Sequence, residues 1–137
     1  MLAKDIMTEN PMTATELMSV AEAIGLLYEL DVRHLPVVRG SELVGIVSDR
    51  DLRGFTLPNE DDAIEAMEDA RSSSIGSFMN TDPVKVDPET NVRDIVDLML
   101  LHRVGAIPVC DLDTGDLLGI VSYVDLLRVL QETLEPA

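Results

Sequence analysis

The chain has no tryptophan, two tyrosines, two phenylalanines and one cysteine, Cys110, in 137 residues. A single thiol excludes an internal disulfide and a cysteine-built zinc site. Bases are scarce: Lys4 and Lys85 are the only lysines, and ten Lys and Arg face 26 Asp and Glu, a net charge of −16. That field repels a phosphate backbone at long range, so nucleic acid is not an expected partner. No apolar run approaches the ~18 residues of a membrane-spanning helix. The first ten residues carry Lys4, Asp5 and Glu9 with no apolar stretch behind them, so no secretory signal is read. The expectation is a soluble cytoplasmic protein with no membrane contact. A plain acidic surface accounts for the charge more simply than adaptation to high salt.

Catalytic and metal signatures are also missing. His34 and His102 have no metal-ligand spacing, and no glycine-rich phosphate loop occurs. Cys110 ends an apolar stretch beside Asp111, with no base at a recognisable distance, which reads as a structural thiol. No catalytic residue, no metal and no required cofactor are expected.

What the chain does have is an internal repeat. Ile6-Met7-Thr8-Glu9-Asn10-Pro11 matches Phe78-Met79-Asn80-Thr81-Asp82-Pro83, an offset of 72 residues. Val32-Arg33-His34-Leu35-Pro36-Val37 matches Val104-Gly105-Ala106-Ile107-Pro108-Val109 at the same offset. Val44-Gly45-Ile46-Val47-Ser48 through Asp51-Leu52 matches Leu118-Gly119-Ile120-Val121-Ser122 through Asp125-Leu126 at 74, so the second copy has two more residues in its turn. The copies run over 3–55 and 74–130, with an acidic linker at 56–73 and a tail at 131–137.

Each copy predicts the same elements. A short extended piece follows the proline, at Met12-Thr13 and at Val84-Lys85-Val86. A helix comes next: Ser19-x-x-Glu22 is a capping box ahead of Val20, Ala23, Ile24, Leu27 and Leu30, and Thr90 is the expected cap ahead of Val92, Ile95, Val96 and Met99. Two apolar strands flank a turn, 35–38 with 43–47 and 107–110 with 117–121. Pro36 and Pro108 suit edge positions. A closing helix begins at Asp49 and at Tyr123. In the linker, 60–71 reads as an acidic helix, with Glu60, Asp61 and Asp62 in its first turn. One copy of ~50 residues cannot bury much surface, so two packed copies are the expected unit.

The pattern Met-Thr-x-x-Pro, helix, Val-Arg-His-Leu-Pro-Val-Val, then Leu-Val-Gly-Ile-Val-Ser-x-x-Asp-Leu resembles the cystathionine beta-synthase-type (CBS) domain, and its tandem occurrence resembles a Bateman module. The resemblance covers nearly all of the chain outside the linker. It implies an α/β (α+β) fold of two β-α-β-β-α repeats packed as a pseudo-twofold pair. It also implies an adenosine-containing ligand in clefts between copies and regulation rather than catalysis. AMP, ADP, ATP and S-adenosylmethionine are the implied ligands. With no effector domain in sequence, the output is expected in trans, on a partner protein. The alternative is a structural dimerisation module whose clefts stay empty.

Ser48-x-x-Asp51 and Ser122-x-x-Asp125 sit where a buried strand becomes a helix. Capping alone explains a serine followed three residues later by an acid. The same geometry serves a ligand, because free N–H groups at a helix start favour polar or anionic groups and a short carboxylate can hold both ribose hydroxyls. The resemblance assigns Asp51 and Asp125 to ribose, with Ser48 and Ser122 beside them. Arg33 and His34 ahead of the strand, and Arg50 inside the motif, are phosphate candidates. Arg33 can equally pair with one of the many acids, and His34 can be merely half-buried. The second copy has Gly105, Ala106 and Val124 at those places, so only the first copy is equipped for phosphate. An apolar adenine slot is expected from Met12, Thr13, Ala14, Leu35 and Pro36, and another from Val84, Lys85, Ile107 and Pro108, each of which also suits ordinary core. Incomplete coverage of the helices predicts a homodimer through the helices at 19–30 and 90–101, or through the closing helices near 126–130.

Overall fold

The computed structural model describes residues 1–53 and 71–136. The expected acidic helix at 60–71, Arg71 apart, and the continuation of the first closing helix through Phe55 lie outside the described residues. The chain divides into two compact units. The first is Met12–Asp82; the second joins Met1–Pro11 to Pro83–Ala137. Each is a mixed α/β body built around one hairpin.

In the chain's order the described elements are α1 (Ala3–Ile6), β1 (Thr8–Glu9), α2 (Val20–Leu30), β2 (His34–Arg39), β3 (Glu42–Ser48), α3 (Asp49–Leu52), a 3-10 turn (Ile75–Ser77), α4 (Val92–His102), β4 (Ala106–Cys110), β5 (Leu117–Ser122) and α5 (Tyr123–Thr133).

In the first unit, α2 begins where Ser19 Oγ accepts the Glu22 N–H at 3.1 Å. It ends at Asp31, held in the left-handed region at φ 52°. Its Val20, Ala23 and Leu27 bury against Leu35 and Val37 of β2, Val47 of β3, Leu52 and Ile75. β2 and β3 pair antiparallel from His34 opposite Ser48 to Arg39 opposite Glu42, with a bulge between Val37 and Val38. Gly40, at φ 63°, makes the turn. Ala14 bridges Val37 in parallel on the far side of β2, and Asn80 bridges Ile46 antiparallel on the far side of β3. Pro36 is therefore flanked on both sides. Its missing N–H ends the pairing with the leading segment after one bridge.

The second unit repeats this plan. β1, β5 and β4 form a sheet in that order, with Thr8 opposite Ile120 and Ala106 opposite Ser122. Val86 bridges Val109 in parallel. The N-cap of α4 is Asn91, whose side chain accepts the Arg93 N–H at 2.9 Å. Thr90, expected as that cap, instead closes a turn by accepting the Asp87 N–H at 3.2 Å. An amide oxygen one residue nearer the helix takes the first-turn donor. α4 ends at Arg103, also left-handed at φ 54°. Ile95 and Met99 of α4, Ile107 and Val109 of β4, Val121 of β5, and Val86 and Ala3 form the core. No residue of α5 is fully buried.

The leading Met-containing segment of each repeat thus joins the hairpin of the other. Residues 8 and 80 are matched in sequence, and they pair with the matched residues 120 and 46. The junction demands glycine. A Cβ on Gly45 would lie 2.8 Å from the Asn80 carbonyl oxygen and from Met79 Sδ. On Gly119 it would lie 2.8 Å from the Thr8 oxygen and 2.7 Å from Met7 Sδ. Only a residue without a side chain admits backbone this close.

Candidate functional site

Each hairpin ends in a serine that starts a helix. Ser48 Oγ accepts the Asp51 N–H at 3.2 Å, and the Asp51 Oδ2 accepts the Ser48 N–H at 2.9 Å. Ser122 and Asp125 repeat this at 3.3 and 2.8 Å, with the Ser122 hydroxyl also donating to Asp125 Oδ2 at 3.2 Å. Both motifs are reciprocal capping boxes. In each, one carboxylate oxygen, Oδ2, does the capping. Among the described residues Asp51 Oδ1 has no partner. Asp125 Oδ1 faces Arg128 at a loose 3.9 Å, and the Asp125 side chain is largely covered. Capping therefore uses only one of the two carboxylate oxygens of each aspartate.

The cations of the first unit meet around this junction. β2 opens at His34, directly opposite Ser48. Arg33, one residue earlier, accepts the Asp49 N–H on its carbonyl at 2.8 Å and places its guanidinium 3.3 Å from Asp49 Oδ2. Asp49 therefore competes for the guanidinium that the sequence offered to phosphate. The pair is exposed, so it is weak and easily exchanged. Arg50 is exposed and makes no ion pair among the described residues. His34 is half-buried. Burial pushes its imidazole below the usual histidine value of 6.5, opposed by the Asp49 and Asp51 carboxylates and assisted by Arg33. It is neutral near pH 7. In the second unit Gly105, Ala106 and Val124 occupy the matched places.

The apolar candidates divide. Leu35, Pro36, Ile107 and Pro108 are fully buried, with Leu35 and Ile107 inside the two cores. Thr13 and Val84 are half-buried on the leading segments. The prolines give these segments a property that sequence reading missed. Ala14 donates to the Pro36 carbonyl at 2.9 Å and Val86 to the Pro108 carbonyl at 3.1 Å. With no proline N–H for the next rung, the backbones of Met12, Thr13, Val84 and Lys85 have no hydrogen-bond partner among the described residues. Each unit therefore offers unpaired backbone donors and acceptors beside an apolar strand. The signal was present in the proline two positions before Val38 and Cys110.

Cys110 is buried and burial raises its thiol pKa, which removes nucleophilic character at neutral pH. Among the described residues no group of His, Cys, Asp and Glu could hold a metal ion, and no helix is long and apolar enough to cross a membrane.

Comparison with known proteins bears on these features. The CBS domain family model matches residues 3–58 and 75–132. A CBS domain-containing protein of Dictyostelium discoideum is 34% identical over 98% of this chain and 94% of its own length. The structure of CBSX2 in complex with AMP superposes with a TM-score of 0.79 at 30% identity, covering 96% of both chains; CBSX2 is a CBS-pair protein from Arabidopsis thaliana. The CBS domain pair of protein MJ0100, solved with 5′-methylthioadenosine and S-adenosyl-L-methionine, superposes with a TM-score of 0.77 at 26% identity over 95% of this chain and 99% of that one. Enzymes also match, but only in part: the alignment to a homoserine O-acetyltransferase of Methanocorpusculum labreanum spans 25% of that protein.

Proposed function

The chain belongs to the CBS-domain family, and from that premise we propose that it is a cytoplasmic regulatory module that binds an adenosine-containing ligand and acts in trans on a separate effector protein. The observation that carries this reading is the duplicated serine–aspartate junction. In each copy one carboxylate oxygen closes the helix cap, and the other, without a partner at Asp51 and only loosely paired with Arg128 at Asp125, can turn to a ribose. Asp51 and Asp125 hold ribose hydroxyls, with Ser48 and Ser122 beside them. The unpaired backbone at Thr13 and Val84 reads the adenine edge, against the strands of Leu35-Pro36 and Ile107-Pro108. Arg33, His34 and Arg50 hold phosphate in the first copy, which favours AMP, ADP or ATP there, while the second copy suits an uncharged or cationic adenosyl group such as S-adenosylmethionine. Ligands of that class occupy CBSX2 and MJ0100.

The module works as a homodimer in this reading. α5 carries Tyr123, Val124, Leu127 and Leu130 exposed on one sector of the helix, and Leu26 and Leu52 of the first unit pack inward instead. A ligand moves such a protein only through unequal affinity for two states. Those states are two arrangements of the module or its dimer.

The test is calorimetric titration of the full chain with AMP, ADP, ATP and S-adenosylmethionine, with thermal shift as a second readout. Saturable binding of at least one ligand is expected. A chain that neither binds nor is stabilised by any of the four at millimolar concentration overturns the ligand reading.

A further inference from the structure

The chain has seven methionines, and two of them, Met7 and Met79, hold matched places in the repeat, 72 residues apart. Each is half-buried and packs against the core of the hairpin that its segment joins, Met7 in the second unit and Met79 in the first. Their sulfurs fill the space that the junction glycines leave open. The point where a Cβ on Gly119 would stand is 2.7 Å from Met7 Sδ and 2.8 Å from the Thr8 oxygen. At Gly45 the same point is 2.8 Å from Met79 Sδ and from the Asn80 oxygen. Each thioether therefore lies beside a carbonyl of the pairing itself. In the first unit that pairing is reciprocal: the Asn80 carbonyl accepts the Ile46 N–H at 3.0 Å, and Asn80 donates to the Ile46 carbonyl at 2.9 Å. In the second unit Thr8 stands opposite Ile120.

A thioether is a weak acceptor and tolerates this company. Its sulfoxide does not. Oxidation turns a flexible apolar side chain into a polar, chiral one. The new oxygen has three courses. It can face the neighbouring carbonyl, where two partial negative charges repel. It can compete with that carbonyl for the N–H of the bridge. It can swing the side chain out of the core. Each course loosens the junction. The other sulfurs suit this role less. Cys110 is buried and its thiol is held protonated. Met1 and Met12 are 61% and 56% exposed, so their sulfoxides stay in water. Met18 and Met99 pack against the cores, but the repeat places Thr90 and Leu27 at their matched positions, so neither is duplicated.

We propose that Met7 and Met79 form a duplicated oxidation site, at which a peroxide-class oxidant converts both thioethers to sulfoxides and so loosens the junctions that hold the leading segments on β3 and β5. The step balances. A sulfur lone pair attacks one peroxide oxygen, the S–O bond forms and the O–O bond breaks. Sulfur is oxidised by two electrons, and the departing oxygen takes a proton and leaves as water. Reduction by a dithiol reverses it, giving a disulfide and water. β3 and β5 run on from Gly45 and Gly119 to Ser48 and Ser122, so the loosening reaches the strand ends that start the two capping boxes. The site goes beyond the adenosine-ligand reading and needs no ligand.

The experiment treats the full chain, without ligand, with a hydrogen peroxide series. Mass mapping counts the oxygens gained at each methionine, and thermal unfolding reads the effect. Met12 should oxidise first with no change in melting temperature. Conversion of Met7 and Met79 should then lower it by about 5 °C or more. Methionine sulfoxide reductases A and B together should restore it. Met7→Leu combined with Met79→Leu keeps the side chains apolar and close in volume, so that chain should hold its melting temperature through the same treatment. The inverse variant, Met12→Leu with Met18→Leu and Met99→Leu, keeps both junction sulfurs and should still respond, which preserves the test if the leucine pair fails to fold. The proposal is overturned if Met7 and Met79 stay reduced where Met12 is fully converted, or if both convert and the melting temperature is unchanged. It is equally overturned if the inverse variant is unaffected with both junction sulfurs oxidised, or if removal of the oxygens by the reductases leaves the loss in place.

Discussion

Replacing Asp51 separates its two roles. In the folded chain its Oδ2 accepts the Ser48 N–H at 2.9 Å while its own N–H reaches Ser48 Oγ at 3.2 Å. Asp51→Ala removes the first bond and keeps the second, at an exposed helix start, so the loss of stability should be about 1 kcal/mol, the usual worth of a cap. Ligand affinity should fall by more. A carboxylate that holds ribose hydroxyls makes charge-assisted bonds worth about 1–3 kcal/mol, or roughly 5- to 150-fold in Kd. Asp51→Asn tells the roles apart. Its amide oxygen can still accept the Ser48 N–H, so stability should stay within a few tenths of a kcal/mol, while affinity drops about fivefold or more with the lost charge. Asp125→Ala should lose more stability than Asp51→Ala, since Asp125 takes both the Ser122 N–H and its hydroxyl and is 14% exposed. Calorimetry with AMP and with S-adenosylmethionine and chemical unfolding of each variant supply the two numbers. Variants at Asp51 and Asp125 that lose stability yet bind both ligands like the parent would show that both carboxylates only cap.

Three further outcomes follow from the same geometry. Asp49→Asn should tighten AMP binding several-fold, because it frees Arg33 from the 3.3 Å pair and removes a repelling charge, whereas Arg33→Ala with His34→Ala should weaken AMP and leave adenosine little changed; equal effects on both ligands in calorimetry would refute a phosphate role. Gly45→Ala or Gly119→Ala should cost about 1–3 kcal/mol in unfolding experiments, since the new methyl meets a backbone oxygen that cannot retreat without opening the bridge; unchanged stability would refute the close approach. His34, with its pKa lowered by burial, is charged more readily in the unfolded chain, so its neutral form stabilises the fold above pH 6.5 and that contribution fades as pH falls through the lower folded value. His34→Gln should flatten stability against pH in that acid range, and phosphate binding to the parent near pH 6 should take up protons, which calorimetry in buffers of different ionisation enthalpy detects.

What was readable from the sequence is what short segments decide. The capping boxes at Ser48 and Ser122, the hairpins around Gly40 and Gly115, and α5 from Tyr123 to Thr133 rest on neighbours within four residues or on one turn, and the repeat displayed each of them twice. The family pattern is made of these segments, so it too was legible. Where two nearby residues could serve the same local purpose, sequence alone picked Thr90 and the structure uses Asn91, because the choice depends on where the backbone leaves its turn. Tertiary structure decided the rest. Residue 8 pairs with 120 and 80 with 46. A repeat that is equivalent to its twin gives no sign of whether its leading segment stays home or crosses to the other hairpin, since both offer the same edge. That crossing explains why Gly45 and Gly119 must lack a side chain. Arg33 reaches Asp49 because β2 and α3 start side by side, a proximity of residues 16 apart that composition cannot show. Leu35 and Ile107 went to the core because the buried face of a strand apolar on both sides is fixed by the helices that cover it, and those contacts exist only in the folded chain.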